Sequence, residues 1–390
     1  MSQPTECELI SKKLTDFPES TFENTELVMF DGKNNYIYRL PDKFALLTKL
    51  TFLNLEDNLI EIFPKQITNL INLEYLYLNK NKIKIIPDEF GNLKNLKSIN
   101  LSDNFIEVLP EQFTQLSALE SLCIINNQLK SLPESFGNLK KLMRCYLTNN
   151  LLSGLPDSIN ELTTLYDFHI SENPINTSNL MLKTFRVFEA SNVVYNNSII
   201  ENNPHLLKLV LNYAHLTTKN LLSISNLTGL QVLYIAYNDI MSIPFELSKL
   251  KRLQSFDISH NKIIDVPPIF DSFTELLHFD ISHNNISELK LFSDYETVKS
   301  KMSSLSISYN NLRCIPPEIG FYKSLIDLDA SNNKIEIIDE SIGCIETLKK
   351  LNVSYNNIKV IKILPKECST LYVLGNPIVY IDEEFKGMIH

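Results

Sequence analysis

Residues 73–91, LEYLYLNKNKIKIIPDEFG, decide the fold, because the pattern that they contain returns at a constant interval along the chain. The pattern is LxxLxLxxNxL, in which Ile can replace Leu. It recurs in LTFLNLEDNLI from Leu50, LKSINLSDNFI from Leu96 and LESLCIINNQL from Leu119. A fixed period of roughly 20 to 50 residues is the sequence signature of repeat architectures. The chain is therefore expected to consist of one short structural unit copied many times.

An asparagine occupies the ninth position of the pattern in most copies, and we refer to these residues as the marker asparagines. Weaker copies are centred on Lys12, Val193 and Ala214, which gives about seventeen units in all. The side-chain amide offers two donors and one acceptor, so the marker asparagines are expected to bond backbone groups of their own and the next coil as a structural ladder. The marker asparagines are Asn35, Asn58, Asn81, Asn104, Asn127, Asn150, Asn173, Asn238, Asn261, Asn284, Asn310, Asn333, Asn356 and Asn376.

Each unit reads as a short strand followed by a turn. In the copy from Leu73, the alternation of side chains predicts that Leu76 and Leu78 point inward while Tyr75 and Tyr77 point outward. After the marker asparagine, the apolar residues return at three-residue spacing, which suits a 3₁₀ or short helical segment. One such unit cannot bury its own apolar face, so neighbouring coils must stack and share a continuous core.

The strand pattern followed by Leu-Pro and a second apolar stretch, as in NKNKIKIIPDEFGNLKNL, resembles the leucine-rich repeat family. The resemblance covers nearly the whole chain. The 23-residue unit is similar to that of the intracellular Ras-group leucine-rich-repeat scaffolds. The expected fold is an α/β solenoid: a leucine-rich-repeat horseshoe of about seventeen coils, with a parallel β-sheet on the concave face and short 3₁₀, helical or extended turns on the convex face.

Breaks in the repeat predict three segments. Residues 1–175 form a first repeat block, residues 176–228 form irregular short repeats, and residues 229–390 form a second block with a C-terminal cap. The irregular segment lacks two marker asparagines and carries the insertion NNSIIENNP, so it is either an uneven part of one continuous stack or a bend that forms a binding ledge. The 26-residue step from Asn284 to Asn310 predicts a longer helix on the outer side of one coil.

Charge and composition exclude several classes of function. The chain carries 36 basic and 46 acidic side chains, a net charge of −10, so it lacks the positive patch of a nucleic-acid-binding protein. It has neither a secretory leader nor an apolar run long enough to insert into a membrane. Its six cysteines are scattered without pairs, which favours a reducing compartment. A soluble, cytoplasmic protein is expected.

Catalytic and metal-binding signatures are missing from the sequence. It has no phosphate-binding glycine motif, HExxH or GxSxG. Asp257 and Asp280 with His260, His278 and His283 could be read as metal ligands, but the repetition of DISHN follows from copying of the unit. We expect no metal, no cofactor and no enzymatic activity.

Outward positions of the strands provide the candidate binding residues. Rigid aromatic residues on an open sheet are typical anchors of protein interfaces, although strands also favour large residues for packing reasons alone. Neighbouring carboxylates repel each other and would be relieved by a basic partner. The predicted aromatic set is Phe52, Tyr75, Tyr77, Tyr146, Tyr166, His169, Tyr234 and Tyr237, and the predicted acidic patch is Asp257, Asp280, Asp327 and Asp329.

These features predict a protein-binding scaffold or adaptor in intracellular signal transduction that holds its partner on the concave face. The resemblance implies a Ras-type small GTPase or a protein phosphatase as the partner, and the residues themselves do not choose between them. The alternative is a regulatory or substrate-recognition array of a larger signalling enzyme, such as a phosphatase, an adenylyl cyclase or a ubiquitin ligase. That alternative requires a catalytic domain, which this sequence does not contain.

Overall fold

The computed structural model describes residues 5–290 and 300–389. The longer outer helix expected between Asn284 and Asn310 falls on residues 291–299 and lies outside the described residues. The chain divides into two compact units, Met1–Asn203 and Pro204–His390. The boundary lies inside the segment that the sequence marks as irregular.

The described part of the first unit is built on nine three-residue strands that pair in parallel and in chain order. Equivalent positions of consecutive copies face each other, as in Phe52↔Tyr75 and Tyr75↔Ser98, and the last pair, Asp167↔Val187, closes a shorter coil. The strands are β1 (Glu6–Glu8), β2 (Met29–Asp31), β3 (Phe52–Asn54), β4 (Tyr75–Tyr77), β5 (Ser98–Asn100), β6 (Ser121–Cys123), β7 (Arg144–Tyr146), β8 (Asp167–His169) and β9 (Val187–Glu189).

Most coils of this unit return from strand to strand through a 3₁₀ helix. A proline usually precedes the helix, because its fixed φ and missing N–H suit the start of a helical turn; Pro64, Pro87 and Pro110 hold this position. The 3₁₀ helices are Glu19–Phe22, Asp42–Leu46, Lys65–Asn69, Asp88–Asn92, Glu111–Gln115, Phe136–Asn138 and Asp157–Glu161, and one α-helix follows, α1 (Ser198–Asn202).

The second unit repeats the scheme. Eight of its described strands form one parallel sheet, and two short strands, β17 and β19, pair separately. The strands are β10 (Lys208–Val210), β11 (Val232–Tyr234), β12 (Ser255–Asp257), β13 (His278–Asp280), β14 (Ser304–Ser306), β15 (Asp327–Asp329), β16 (Lys350–Asn352), β17 (Val360–Ile361), β18 (Thr370–Tyr372) and β19 (Tyr380–Ile381). The helices are α2 (Thr218–Ile224) and the 3₁₀ helices Phe245–Lys249, Phe270–Ser272, Pro317–Phe321, Glu340–Cys344 and Glu383–Met388.

The core of each unit lies between its sheet and its outer helices. Leu76 and Leu78 are fully buried, as the alternation predicts, and the returning residue Phe90 stacks on Phe113 of the next coil at a centroid distance of 5.5 Å. Each coil therefore fills the apolar gap left by its neighbour, which is the basis of solenoid stability. The expected solenoid, with parallel strands on one face and 3₁₀ turns on the other, is confirmed.

Residues 176–228 are ordered coils. They contain β9 and α1 in the first unit and β10 and α2 in the second. Two α-helices replace the 3₁₀ turns that are usual in the other coils. α2 begins with a capping box, in which Thr217 and Asn220 satisfy each other's backbone N–H groups. The irregular sequence thus changes the outer side of the coils while their strands are kept.

Candidate protein interface

The marker asparagines bond two successive coils, the asparagine's own and the preceding one. The Oδ1 of Asn104 accepts the N–H of Ile83 at 2.9 Å, and its Nδ2 donates to the carbonyls of Leu78 and Leu101, each at 3.0 Å, and to that of Ser102 at 3.2 Å. The same set of partners recurs from Asn58 to Asn356. The sequence predicted that each marker asparagine bonds its own coil and the next one. The structure shows bonds to its own coil and to the preceding one, because the backbone groups that point toward the asparagine belong to that preceding coil.

One further asparagine joins two coils away from the ladder, on the segments that lead into the strands. Asn203, which the sequence pattern did not single out, accepts the N–H of Phe185 at 2.9 Å and donates to the carbonyls of Leu182 and Ile199, each at 2.8 Å. Asn203 is 1% exposed. The sequence offers only an asparagine followed by a proline as a signal, and this pair does not fall on the repeat spacing.

The predicted aromatic residues of the first unit lie on the open face of the sheet. Phe52 is on β3, and Tyr75 and Tyr77 are on β4; Tyr75 is exposed and the other two are half-buried. The rings of Phe52 and Tyr77 are in contact at 5.5 Å. Because the strand register places these rings side by side, they form a rigid aromatic surface on the open face of the sheet.

A second cluster on this face includes two carboxylates that the sequence pattern missed. The Tyr146 hydroxyl donates to Asp167 at 2.7 Å, and the Tyr146 ring lies 4.6 Å from that of His169. His169 Nε2 lies 2.8 Å from Asp167 Oδ1, and its Nδ1 lies 3.4 Å from Glu189 Oε2. Burial, together with the hydrogen bond to Asp167, raises the pKa of Tyr146. Tyr166 is half-buried and comes one residue before β8. The cluster is polar and holds its side chains in place.

In the second unit, Asp257 and Asp280 lie side by side on β12 and β13. Each carboxylate accepts the backbone N–H of the serine two residues later in the chain, at 2.9 and 2.8 Å. One oxygen of each carboxylate therefore stabilises the turn that follows its strand. Burial raises the pKa of Asp257 and the charge of Asp280 acts in the same direction, while the Ser259 hydrogen bonds lower it. Tyr234 and these carboxylates line a shallow hollow of about 250 Å³.

The other two aspartates of the predicted patch lie on β15 and are less available. Asp327 forms an ion pair with Lys350 of the next strand at 3.2 Å. Asp329 accepts the N–H of Ser331 at 2.9 Å. A basic partner would therefore meet uncompensated charge chiefly at Asp257 and Asp280, because no Lys or Arg of the described residues forms an ion pair with them.

Tyr237 does not lie on a strand, in contrast to the prediction. It comes three residues after β11 with φ of 56°, at the position just before a marker asparagine. That position has positive φ in coil after coil of both units, because the chain turns there from the strand into the outer segment. In the second unit it carries a stack of rings, which we name the aromatic column: Tyr213, Tyr237, His260, His283 and Tyr309.

Two kinds of feature, a cluster of metal-ligating side chains and a membrane-spanning helix, are absent from the part of the chain that the structure describes. No group of three or more His, Cys, Asp or Glu side chains is arranged to hold a metal ion. Over residues 5–290 and 300–389, no helix has the length and apolar character needed to cross a bilayer.

Comparison with known families identifies the repeat. Residues 80–191 match the profile of the leucine-rich repeat region, and residues 228–271 match that of leucine-rich repeats in two copies. The sequence matches no curated protein. Together with the coil geometry, these matches show that the chain is a leucine-rich repeat protein. The leucine-rich repeat fold generally mediates protein–protein interaction, and its members are typically binding scaffolds without enzymatic activity.

Solved structures give the same assignment. A leucine-rich repeat protein of Leptospira interrogans is 26% identical with a TM-score of 0.74, over 97% of this chain and 91% of that one. A plant peptide hormone receptor, RGFR1, in complex with RGF2 is 25% identical with a TM-score of 0.65, over 95% of this chain and 70% of that one. The Toll–Spätzle complex of Drosophila shares the fold at 22% identity and a TM-score of 0.60, over 94% of this chain and 50% of that one.

Proposed function

We propose that this chain is a protein-binding scaffold or adaptor in intracellular signalling, which holds its partner on the open face of its sheet. The observation that carries the proposal is the aromatic surface of exposed Tyr75 and half-buried Phe52 and Tyr77, which strand pairing fixes on the open face of the sheet. Aromatic residues that are already held rigid lose little conformational entropy on binding, and for this reason they are frequent anchors of interfaces. A related solved structure, the receptor RGFR1, was determined in complex with RGF2.

The partner class comes from the resemblance to Ras-group scaffolds: a Ras-type small GTPase or a protein phosphatase. The free thiols of all six cysteines support a reducing, cytoplasmic location. The uncompensated charges of Asp257 and Asp280 favour a partner with a basic surface, which would be drawn toward them over a range set by salt.

The experiment compares two pairs of tyrosines in affinity capture from the source cell with mass spectrometry. Tyr75→Ala with Tyr77→Ala removes the rings of the open sheet face and is expected to abolish recovery of the partner while leaving the melting temperature nearly unchanged. Tyr36→Ala with Tyr38→Ala is the matched control, because these tyrosines are 49% and 48% exposed, lie in the same unit and stand off the strands.

Equal losses from both pairs would contradict the proposal, because they would show that the sheet face has no special role. If the partner is recovered undiminished with the Tyr75 and Tyr77 pair, the binding face lies elsewhere. Unfolding of that variant alone would show that the rings are structural.

A further inference from the structure

The aromatic column is a chain of near-parallel rings at one edge of the second unit. Centroid distances are 4.3 Å for Tyr213 and Tyr237, 3.9 Å for Tyr237 and His260, 3.8 Å for His260 and His283, and 3.9 Å for His283 and Tyr309, with interplanar angles of 10 to 13°. Each ring comes from a different coil. The stack is therefore a product of the register between coils, and it continues for five of them.

The coil does not require rings at this position. In the first unit the equivalent residues are polar and bond one another: Asn126 donates to Asp103 at 2.7 Å, and Asn149 donates to Asn126 at 2.9 Å. Asn tolerates positive φ, whereas a bulky side chain there is an outlier. Within the second unit itself, Asn332 holds the position with φ of 53°. Asparagine would hold this turn with less strain, so the turn itself does not account for rings in five successive coils.

The column offers a surface that the strands do not. Tyr213, Tyr237 and Tyr309 are 48%, 42% and 49% exposed. A shallow, open hollow of about 620 Å³ runs along the four rings from Tyr237 to Tyr309, and Asn311 and Asn332 also line it. The inner rings of the column stack face to face, so their edges point toward solvent. These edges carry hydroxyl and imidazole groups that can form hydrogen bonds with a ligand.

The geometry disfavours a metal ion as that ligand. The planes of His260 and His283 are within 13° of parallel at 3.8 Å. The nitrogen lone pairs of an imidazole lie in the plane of its ring, so those of two stacked rings run side by side and do not converge on one ion. The absence of a third ligand among the described residues agrees with this conclusion.

Charge around the hollow selects the partner. None of the described residues that line it is a Lys or an Arg, and the carboxylates of Asp257 and Asp280 precede His260 and His283 by three residues on the same coils. Burial and the neighbouring His283 lower the pKa of His260, against the opposite effect of Asp257 and Asp280. The surface is aromatic and has the carboxylates of Asp257 and Asp280 on its coils, which repels a polyanion and suits a cation.

We propose that the aromatic column docks an arginine-bearing segment of a protein partner. A guanidinium group packs on an aromatic face and forms forked hydrogen bonds with carboxylates, which a lysine ammonium does less well. Within the column such a face is offered by Tyr309, which ends the stack and has a ring of the column, His283, on one side only. The free oxygens of Asp257 and Asp280 lie on neighbouring strands, which are roughly 4.8 Å apart, a separation that such a fork can bridge. The proposal rests on the proposed function and adds the chemistry of the partner and a second contact surface.

Isothermal titration with an end-blocked hexa-arginine peptide at physiological salt tests the proposal. Tyr237→Asn with Tyr309→Asn keeps the charge and the positive φ, and it is expected to weaken binding roughly tenfold. Tyr355→Asn is the matched control, because Tyr355 is 54% exposed and has φ of 56° but lies outside the stack; its affinity should equal that of the wild type. Hexa-citrulline, the neutral isostere, should not bind.

These variants distinguish docking on the rings from general charge attraction, because both keep the net charge of −10. Equal affinity of the column variant and the wild type would overturn the proposal, as would equal binding of hexa-citrulline. Binding of a single-stranded oligonucleotide that is lost in the column variant would also overturn it.

Histidine NMR in the wild type gives a second measurement that does not depend on a variant that folds. Hexa-arginine should shift the imidazole signals of His260 and His283 and leave that of His169 in the first unit unchanged. Shifts at His169 alone would contradict the proposal. Both proposals stand if the column variant fails to bind the peptide and partner capture still depends on Tyr75 and Tyr77. If the wild type binds the peptide but partner capture does not depend on those tyrosines, only the role of the sheet face is refuted.

Discussion

At the scale of the residue, the marker asparagine is the side chain that ties each coil to the one before it. Asn104 uses its amide oxygen for one backbone N–H and its amide nitrogen for three carbonyls. Asp would lack the donors and Ser the reach, so only Asn satisfies both sets of backbone groups at once. Since these groups are buried, each one left without a partner costs free energy.

Asn104→Ala is expected to lower the free energy of unfolding by roughly 1 to 3 kcal/mol, because it leaves a buried N–H and buried carbonyls unsatisfied. Urea denaturation followed by circular dichroism measures the change. Asn95→Ala is the control: Asn95 donates a single exposed hydrogen bond to the carbonyl of Ile71, and its loss should change stability by less than about 0.5 kcal/mol. Equal values for the two variants would disprove this account of the ladder.

At the scale of the element, the 3₁₀ helices pack more closely than side chains allow. Gly137 lies in the helix Phe136–Asn138, and a Cβ there would overlap the carbonyl oxygen of Ser158 in the next coil. The helices of these two coils therefore meet backbone to backbone. Gly154 lies in the turn that leads to the helix of the next coil, and a Cβ at that position would have no atom within 4 Å.

Gly137→Ala is expected to destabilise the protein by about 1 to 3 kcal/mol, because the two coils must separate to admit the methyl group. Gly154→Ala provides the matched comparison, with the same change of residue and no overlap. It should be neutral or slightly stabilising, since alanine restricts the unfolded chain. Thermal unfolding of both variants decides the matter, and a neutral Gly137→Ala would mean that the outer turns adjust freely.

At the scale of the whole molecule, stability is local along the chain. Within each unit the sheet strands bond their neighbours, and core contacts join adjacent coils. The free energy of unfolding of such an array is approximately a sum of contributions from each coil and from each interface between neighbouring coils. A defect in one coil should therefore weaken the coils beside it most, and its effect should fade with distance along the same unit.

Leu328→Ala tests this locality. Leu328 is fully buried on β15, and its truncation should cost about 2 to 5 kcal/mol. Hydrogen exchange followed by mass spectrometry should show faster exchange in β14, β15 and β16 and little change in β11. Uniform acceleration throughout the second unit would indicate one cooperative block instead.

The sequence alone determined the features that a single coil contains. The 23-residue period, the inward direction of Leu76 and Leu78 and the bonding role of the marker asparagines follow from residue order, because alternation and turn chemistry are local properties copied in every unit. The same reasoning located Tyr75 and Tyr77 on the open face of the sheet.

Only the tertiary structure decided what neighbouring coils do to one another. Tyr237 belongs to a stack of rings instead of a strand, His169 lies between Asp167 and Glu189, and Asn203 joins two coils away from the ladder. Each of these depends on the register between successive coils, which are distant in sequence, or on backbone that turns to positive φ. A repeat pattern fixes neither, because the pattern records which residues recur and the contacts arise from the space between successive copies.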